Sequence, residues 1–282
     1  MAELIGIGIV GVGKIVRDQH LPALAADPGY RLVAAASRHG KVDGIPNFAT
    51  IEAMLEAVPG LDAVCLCMPP QFRYDAARAA LAAGKHVFLE KPPGATVSEV
   101  EHLKALAAEK GLSLFASWHS RYAPAVEAAR TFLASARLRS AAIDWKEDVR
   151  RWHPNQDWIW MPGGFGVFDP GINALSIATH IFPAMRIVSA ELDFPGNREA
   201  PIAAHVAFRT ADGTAVRMEL DWRQTGPQSW DIAAETDRGS MLLSGGGARL
   251  AIDGKVVHEE REAEYPALYR RFAELVREGR SD

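Results

Sequence analysis

Over roughly the first 120 residues, short apolar runs alternate with helix-forming segments, and this alternation leaves little room for anything but a parallel α/β sheet. Leu4–Val10, Tyr30–Ala36, Ala63–Met68, His86–Leu89 and Leu112–Ser117 read as buried strands. Helices are expected over Ile15–Ala26, Ile51–Ala57, Gln71–Ala83 and Val97–Lys110. The punctuation agrees: Thr50 is placed to cap, Thr96-x-x-Glu99 is a capping box, and Gly84 and Gly111 are stop signals. Right-handed crossovers turn such a series into a doubly wound sheet, with ligands beyond the carboxyl ends of its strands.

The first strand runs into a glycine turn that can be read in two registers. Gly6-x-Gly8-x-x-Gly11 matches the dinucleotide fingerprint literally, but too few residues precede it to form the strand that must come first. Gly11-x-Gly13-x-x-Val16 has a strand before it and a helix after it, and is the register adopted here. Gly11 permits the tight turn, Gly13 lets the backbone approach a pyrophosphate, and the helix N-terminus supplies donors. Val16 stands where the fingerprint has Gly or Ala, so looser helix–strand packing is expected there. The next strand ends in Ser37-Arg38 rather than in an acid. A hydroxyl and a guanidinium suit a ribose 2′-phosphate, which favours NADP with NAD as the alternative.

Strand His86–Leu89 releases Glu90-Lys91-Pro92-Pro93 at its carboxyl end, where chemistry is expected. On its own the pair reads equally as a surface ion pair before a turn. The only cysteines, Cys65 and Cys67, lie in an apolar run with no further Cys or His at ligand spacing. They read as buried thiols of a reduced, cytoplasmic protein, and no metal site is expected.

After a helix over Pro124–Ala136 the grammar changes. A charged strand, Ala141–Asp148, ends near Glu147, and Arg151–Gly166 is an aperiodic stretch with Trp152, His153, Trp158 and Trp160. Phe168-Asp169-Pro170 then opens a helix to about Ile181, on which Asp169 and Asn173 share a face. Taken alone, Asp169 before Pro170 reads as an N-cap rather than as a catalytic acid. Seven short strands follow from Ile187 to His258, with Asp212-Gly213 and Asp253-Gly254 as hairpin turns, and a helix over Pro266–Glu278. The expected architecture is a Rossmann-type domain over 1–120 and an α+β domain over 121–282. The second carries a large, mostly antiparallel sheet with one open face, which fits a homodimer.

Composition bounds the partners. The chain has 282 residues, 48% hydrophobic and 23% charged, with a net charge of −4 and no basic run, which argues against nucleic acid. No stretch is long enough for a membrane helix, and Leu4–Val10 is too short for a signal peptide.

Gly11-x-Gly13, Glu90-Lys91-Pro92 and the Asp169-led helix together resemble the Gfo/Idh/MocA oxidoreductases. Asp18-Gln19-His20, Asp144–Arg150, Trp152-His153-Pro154 and Phe168–Leu175 look closer still to the branch acting on L-arabinose and D-galactose. The resemblance spans essentially the whole chain, although relatives usually carry one more helix beyond the point where Ser281-Asp282 stand. It implies oxidation at C1 of an aldopyranose to the lactone, with hydride passing to NAD(P). It also implies that Gly11, Gly13, Lys14, Ile15, Ser37, Arg38, Pro69, Glu90 and Lys91 hold the cofactor. Lys91, Asp169 and Asn173 would form the catalytic set. His119, Glu147, Trp152, His153, Asp169 and Asn173 would line the sugar site. Many relatives have a histidine where Asn173 stands, and an amide takes no proton at neutral pH. His180, about 10 Å further along the helix, is a poor substitute. Other readings are a polyol or inositol dehydrogenase, or a non-catalytic NADP-binding sensor.

Overall fold

The computed structural model describes residues 4–261 and 263–282. The chain divides into two compact units, Met1–Ser117 with Tyr265–Asp282, and Trp118–Glu264.

The first unit is built on six parallel strands: β1 (Ile5–Val10), β2 (Tyr30–Ala36), β3 (Asn47–Phe48), β4 (Ala63–Leu66), β5 (His86–Leu89) and β6 (Leu114–Ala116). Their order, β3-β2-β1-β4-β5-β6, is that of a doubly wound dinucleotide-binding sheet. Every residue of β1 is buried, and its two glycines are required by packing. A Cβ on Gly6 would stand 1.9 Å from the Gly60 carbonyl oxygen, and one on Gly8 3.0 Å from Met54 and Leu61. Gly6 and Gly8 therefore serve the strand, and the turn starts at Gly11, whose φ is +87°.

Residues 14–26 are helical, but Val16–His20 widens into a π turn before α1 (Leu21–Ala26), with the Leu21 N–H bonded to the Val16 carbonyl. Pro22 accounts for the widening: it has no N–H to give the preceding turn, and its ring presses on the carbonyl there. Val16 itself is fully buried, so the departure from the fingerprint appears as a re-spaced turn.

α2 (Ile51–Ala57), α3 (Arg73–Ala82) and α4 (Val97–Glu109) complete the crossovers, and the expected caps are formed. The Thr96 hydroxyl accepts from the Glu99 N–H at 3.3 Å, while Glu99 accepts from the Thr96 and Ala95 N–H groups. Thr96→Ala is expected to cost about 1 kcal/mol. Differential scanning calorimetry should show it as a fall of roughly 2–4 °C in the melting temperature.

In the second unit, α5 (Val126–Ala134), α6 (Val149–Trp152) and α7 (Phe168–Ile181) accompany eight strands. These are β7 (Leu138–Lys146), β8 (Met185–Asp193), β9 (Ala203–Thr210), β10 (Ala215–Asp221), β11 (Ser229–Thr236), β12 (Gly239–Ser244), β13 (Arg249–Ile252) and β14 (Lys255–Glu259). The order is β14-β13-β12-β11-β7-β10-β9-β8. All pairs are antiparallel except β7 with β10, because β7 comes from earlier in the chain and inserts between β11 and β10. One sheet face packs on α5 and α7 through Ile143, Trp145, Met218, Leu220, Ile232 and Leu243 with Val126, Ala129, Ala174 and Ile177. Asp253 and Gly254 both take positive φ, as a two-residue hairpin requires.

The last helix, α8 (Glu264–Glu278), corrects the expected boundary. From Tyr265 onward it belongs to the first unit, not to the second domain. Its Tyr269 and Phe272 rings meet Phe88 at 5.3 and 5.4 Å, and Leu275 O accepts from the Ser113 hydroxyl. Asp282 then exchanges backbone hydrogen bonds with Ala116 and Leu114 at the edge of β6. A boundary drawn along the sequence cannot show that the aromatic face of a terminal helix matches Phe88 and Phe115. Among the described residues no helix is long and apolar enough to cross a membrane.

Candidate active site

In the first unit the glycine turn is shaped for a ligand. A Cβ on Gly11 would meet Met68 N at 2.7 Å, so close backbone packing fixes glycine there, whereas a Cβ on Gly13 would meet nothing within 4 Å. Gly13 thus leaves open space at the start of a helix, where a pyrophosphate sits in this fold. Lys14 and Ile15 are exposed there, and the Lys14 ammonium pairs with Asp18 one turn on. At the end of β2 the Ser37 hydroxyl accepts from the Gly40 N–H at 3.3 Å, next to an exposed Arg38. Pro69 precedes the 3₁₀ turn Pro70–Phe72 beyond β4. These residues fit a dinucleotide.

The Glu90-Lys91-Pro92 turn is held from several sides. Glu90, expected among the cofactor contacts, is buried, and its carboxylate is bonded inside the protein. Oε1 faces His20 Nε2 at 3.1 Å and accepts from the Tyr265 hydroxyl at 2.9 Å, while Oε2 accepts the Lys91 N–H at 2.9 Å. The Lys91 N–H also reaches the Ser117 hydroxyl at 3.0 Å. The Lys91–Pro92 peptide is cis. Arg73, only 4% exposed, donates Nε to Met68 O at 2.7 Å and Nη1 to the carbonyls of Glu90 and Pro92. Glu90 and Arg73 therefore position the segment that presents Lys91. His20, Arg73 and Tyr265 were missed because they come from three helices. Asp18-Gln19-His20 contributed to the resemblance without a role attached.

The expectation that no histidine approaches the cysteines is corrected by the same network. His20 Nδ1 lies 3.6 Å from Cys65 Sγ, and the two sulfurs are 3.5 Å apart. The 45 residues between His20 and Cys65 vanish in space because the first helix lies beside β4. Burial by itself would lower the His20 pKa, but Cys67 and Glu90 outweigh it and push it up. Burial pushes the Cys67 thiol well up.

In the second unit, Asp169 does not cap its helix. Val167 occupies the N-cap position with no side-chain bond, and Asp169, 3% exposed, lies inside the first turn with its N–H on Gly166 O. The loop before it is locked by glycine: a Cβ on Gly164 would stand 2.0 Å from Trp158 O, and one on Gly166 2.3 Å from Pro201 O. A buried carboxylate that does no capping calls for another reason to be there.

That reason is a cluster. His153 Nε2 lies 3.6 Å from Asp169 Oδ2 and 3.9 Å from Glu147 Oε1, and its Nδ1 faces Gln156 Oε1 at 3.3 Å. Glu147 is also buried, and its two oxygens accept the indole N–H groups of Trp222 at 3.2 Å and Trp230 at 2.9 Å. The His153 ring lies 5.2 Å from the ring of the fully buried Trp222, and exposed Trp152 sits 5.4 Å from Trp230. The structure thus brings Glu147, His153, Trp152 and Asp169 together, with half-buried Asn173 one turn along the helix. Trp222 and Trp230 were missed, although each stands at a strand end facing β7. Trp158 and Trp160 instead pack on the core. His119 is held by Glu264 through Nδ1, and Glu264 was not anticipated. His180 pairs with Glu127 at 2.5 Å, away from any role as a base for Asp169.

Residues 5–117 match the model of the oxidoreductase family Gfo/Idh/MocA, described as an NAD-binding Rossmann fold. Galactose 1-dehydrogenase of Pseudomonas fluorescens is 45% identical over 99% of this chain and 90% of its own length. The crystal structure of a D-galactose-1-dehydrogenase protein from Rhizobium etli superposes with a TM-score of 0.96 at 65% identity, covering 100% of this chain and 91% of that one. A 3-ketoreductase from Actinomadura kijaniata, solved with NADP and TDP-benzene, shares the fold at a TM-score of 0.86 and 22% identity, over 98% and 91% of the two chains. With the parallel sheet, the glycine turn and near full-length identity in agreement, the chain belongs to the Gfo/Idh/MocA family of oxidoreductases.

Proposed function

We propose that the protein is an aldose 1-dehydrogenase that oxidises D-galactose and L-arabinose at C1 to the lactone, with NADP preferred over NAD. The observation that carries this reading is the cluster of buried Asp169 and Glu147 with half-buried His153, beside Trp152, Trp222 and Trp230. It sets acid groups and hydrogen-bonding groups beside flat aromatic faces, the combination a sugar ring needs. The likeness to galactose 1-dehydrogenases supplies the substrate class. The two sugars share a ring hydroxyl pattern and differ only on C5.

The nicotinamide, when bound, supplies the hydride acceptor. Asp169 takes the proton of the C1 hydroxyl, and Lys91, as a cation, stabilises the charge developing on that oxygen. Asn173 orients the sugar without taking a proton. Glu147, fixed by the two indoles, and His153 bind ring hydroxyls, and His119, braced by Glu264, contributes a further contact. Ser37 and Arg38 take the 2′-phosphate. The open face of the eight-stranded sheet, with Ile187 and Val188 of β8 exposed at 65% and 58%, is the surface for a homodimer.

The test is the absorbance of reduced nicotinamide with D-galactose, L-arabinose, D-glucose and myo-inositol, each with NADP and NAD. Turnover on the first two, faster with NADP, is the expected result. Arg38→Ala should then raise KM for NADP about tenfold and leave KM for NAD unchanged. Nucleotide binding without turnover on any of the four would overturn the assignment.

A further inference from the structure

The cluster beneath the Glu90-Lys91 turn has no part in the proposed chemistry. From its geometry we infer that His20, Cys65 and Cys67 form a binding site for a thiophilic divalent cation of the zinc–cadmium class. The site lies within the first unit and does not depend on the substrate reading.

Three observations carry it. The first is spacing. With metal–sulfur bonds of about 2.3 Å and metal–nitrogen bonds of about 2.05 Å, a tetrahedral centre sets sulfurs about 3.8 Å apart and nitrogen about 3.6 Å from sulfur. Cys65 Sγ and Cys67 Sγ are 3.5 Å apart, and His20 Nδ1 is 3.6 Å from Cys65 Sγ. All three ligand atoms lie within 4.8 Å of one another.

The second is the outer shell. His20 Nε2 points at Glu90 Oε1 at 3.1 Å, so the ring is oriented by a carboxylate with Nδ1 turned toward the sulfurs. Metal-ligating histidines are held in this way, and the carboxylate raises the basicity of the ligand. Nδ1 is hydrogen-bonded to the Tyr269 hydroxyl at 2.7 Å, a contact that a bound cation replaces, and that hydroxyl lies 3.9 Å from Cys65 Sγ. The third is position. Cys67 stands just past the carboxyl end of β4 and is half-buried, whereas His20 and Cys65 are buried. Binding displaces the two thiol protons and any proton on Nδ1, with no change of oxidation state.

The experiment is a Cd²⁺ titration of the full chain, followed by ultraviolet sulfur-to-cadmium charge transfer and by equilibrium dialysis. The chain has two cysteines, so any such band arises from this pair. Expected is one Cd²⁺ per chain with a band that saturates at the same ratio, and a melting temperature that rises with Cd²⁺. Cys67→Ala, at the half-buried position, should abolish the band. Glu90→Gln should keep the band and weaken binding roughly 10–100-fold. A titration of the unaltered protein that gives no band would overturn the inference, and that result does not depend on any variant folding. So would dialysis binding of equal affinity in a folded Cys65→Ala/Cys67→Ala double variant.

Discussion

Asp169→Asn is expected to yield a folded protein that oxidises D-galactose roughly 10²–10⁴-fold more slowly than the wild type, the usual contribution of a positioned general base. Asparagine keeps the shape of aspartate, so the backbone N–H bond from position 169 to the Gly166 carbonyl, the packing of α7 and the approach of His153 Nε2 are retained while the proton acceptor is lost. Because Asp169 does not cap the helix, the substitution removes no N-cap bond, and the thermal midpoint should stay within a few degrees. KM for NADP should be unchanged, which separates lost chemistry from lost binding. Lys91→Met, on the other unit, should lower turnover by a similar factor but with a different pH profile, since it removes a cation and not a base. Turnover of Asp169→Asn within tenfold of wild type would show that Asp169 is not the base and would transfer that role to Lys91. Near-wild-type rates in both variants would remove the whole assignment.

What the amino-acid sequence revealed, and what it hid, follows from the range of the interactions. Helix α2 and the Thr50 and Thr96 caps rest on contacts within a few residues, and strand β2 is marked by its own apolar run; the structure reproduces them. The glycine register was legible because a strand must precede the turn, and the steric demands at Gly6 and Gly8 agree. Asp169 shows the limit of local reading. Asp before Pro is an ordinary cap by local rules, and only the tertiary packing of the Gly164–Gly166 loop moves the cap back to Val167 and turns the carboxylate inward. Glu147 was placed at the end of its strand, but the indoles that fix it lie 75 and 83 residues away, on or beside β10 and β11. No spacing rule reaches that far. His20 beside Cys65 is the same case, and there the expectation of two isolated thiols failed.

The other large effect concerns a residue that local rules treat as an ordinary polar position at a helix start. Arg73→Met should destabilise the protein by about 3 kcal/mol and lower turnover roughly 10–100-fold while leaving Asp169 and Lys91 in place. The reason is geometric. Three carbonyls, on Met68, Glu90 and Pro92, lie just beyond two adjacent strand ends, and a single buried guanidinium donates to all of them. Methionine fills the volume and donates nothing, so buried acceptors lose their partner at about 1–3 kcal/mol each, partly recovered by relaxation. Relaxation means movement of the segment that carries Lys91, and a shift near 1 Å at a reacting group costs about two orders of magnitude in rate. Arg73→Lys should recover only part of the stability, because a lysine cannot span carbonyls on two loops with one planar fork. The decisive measurement is the split between kcat and KM at a temperature where every variant is folded. If Arg73 acts through Lys91, kcat falls and the Kd for NADP changes little. If both constants return to wild type once the protein is folded, Arg73 is a structural brace alone.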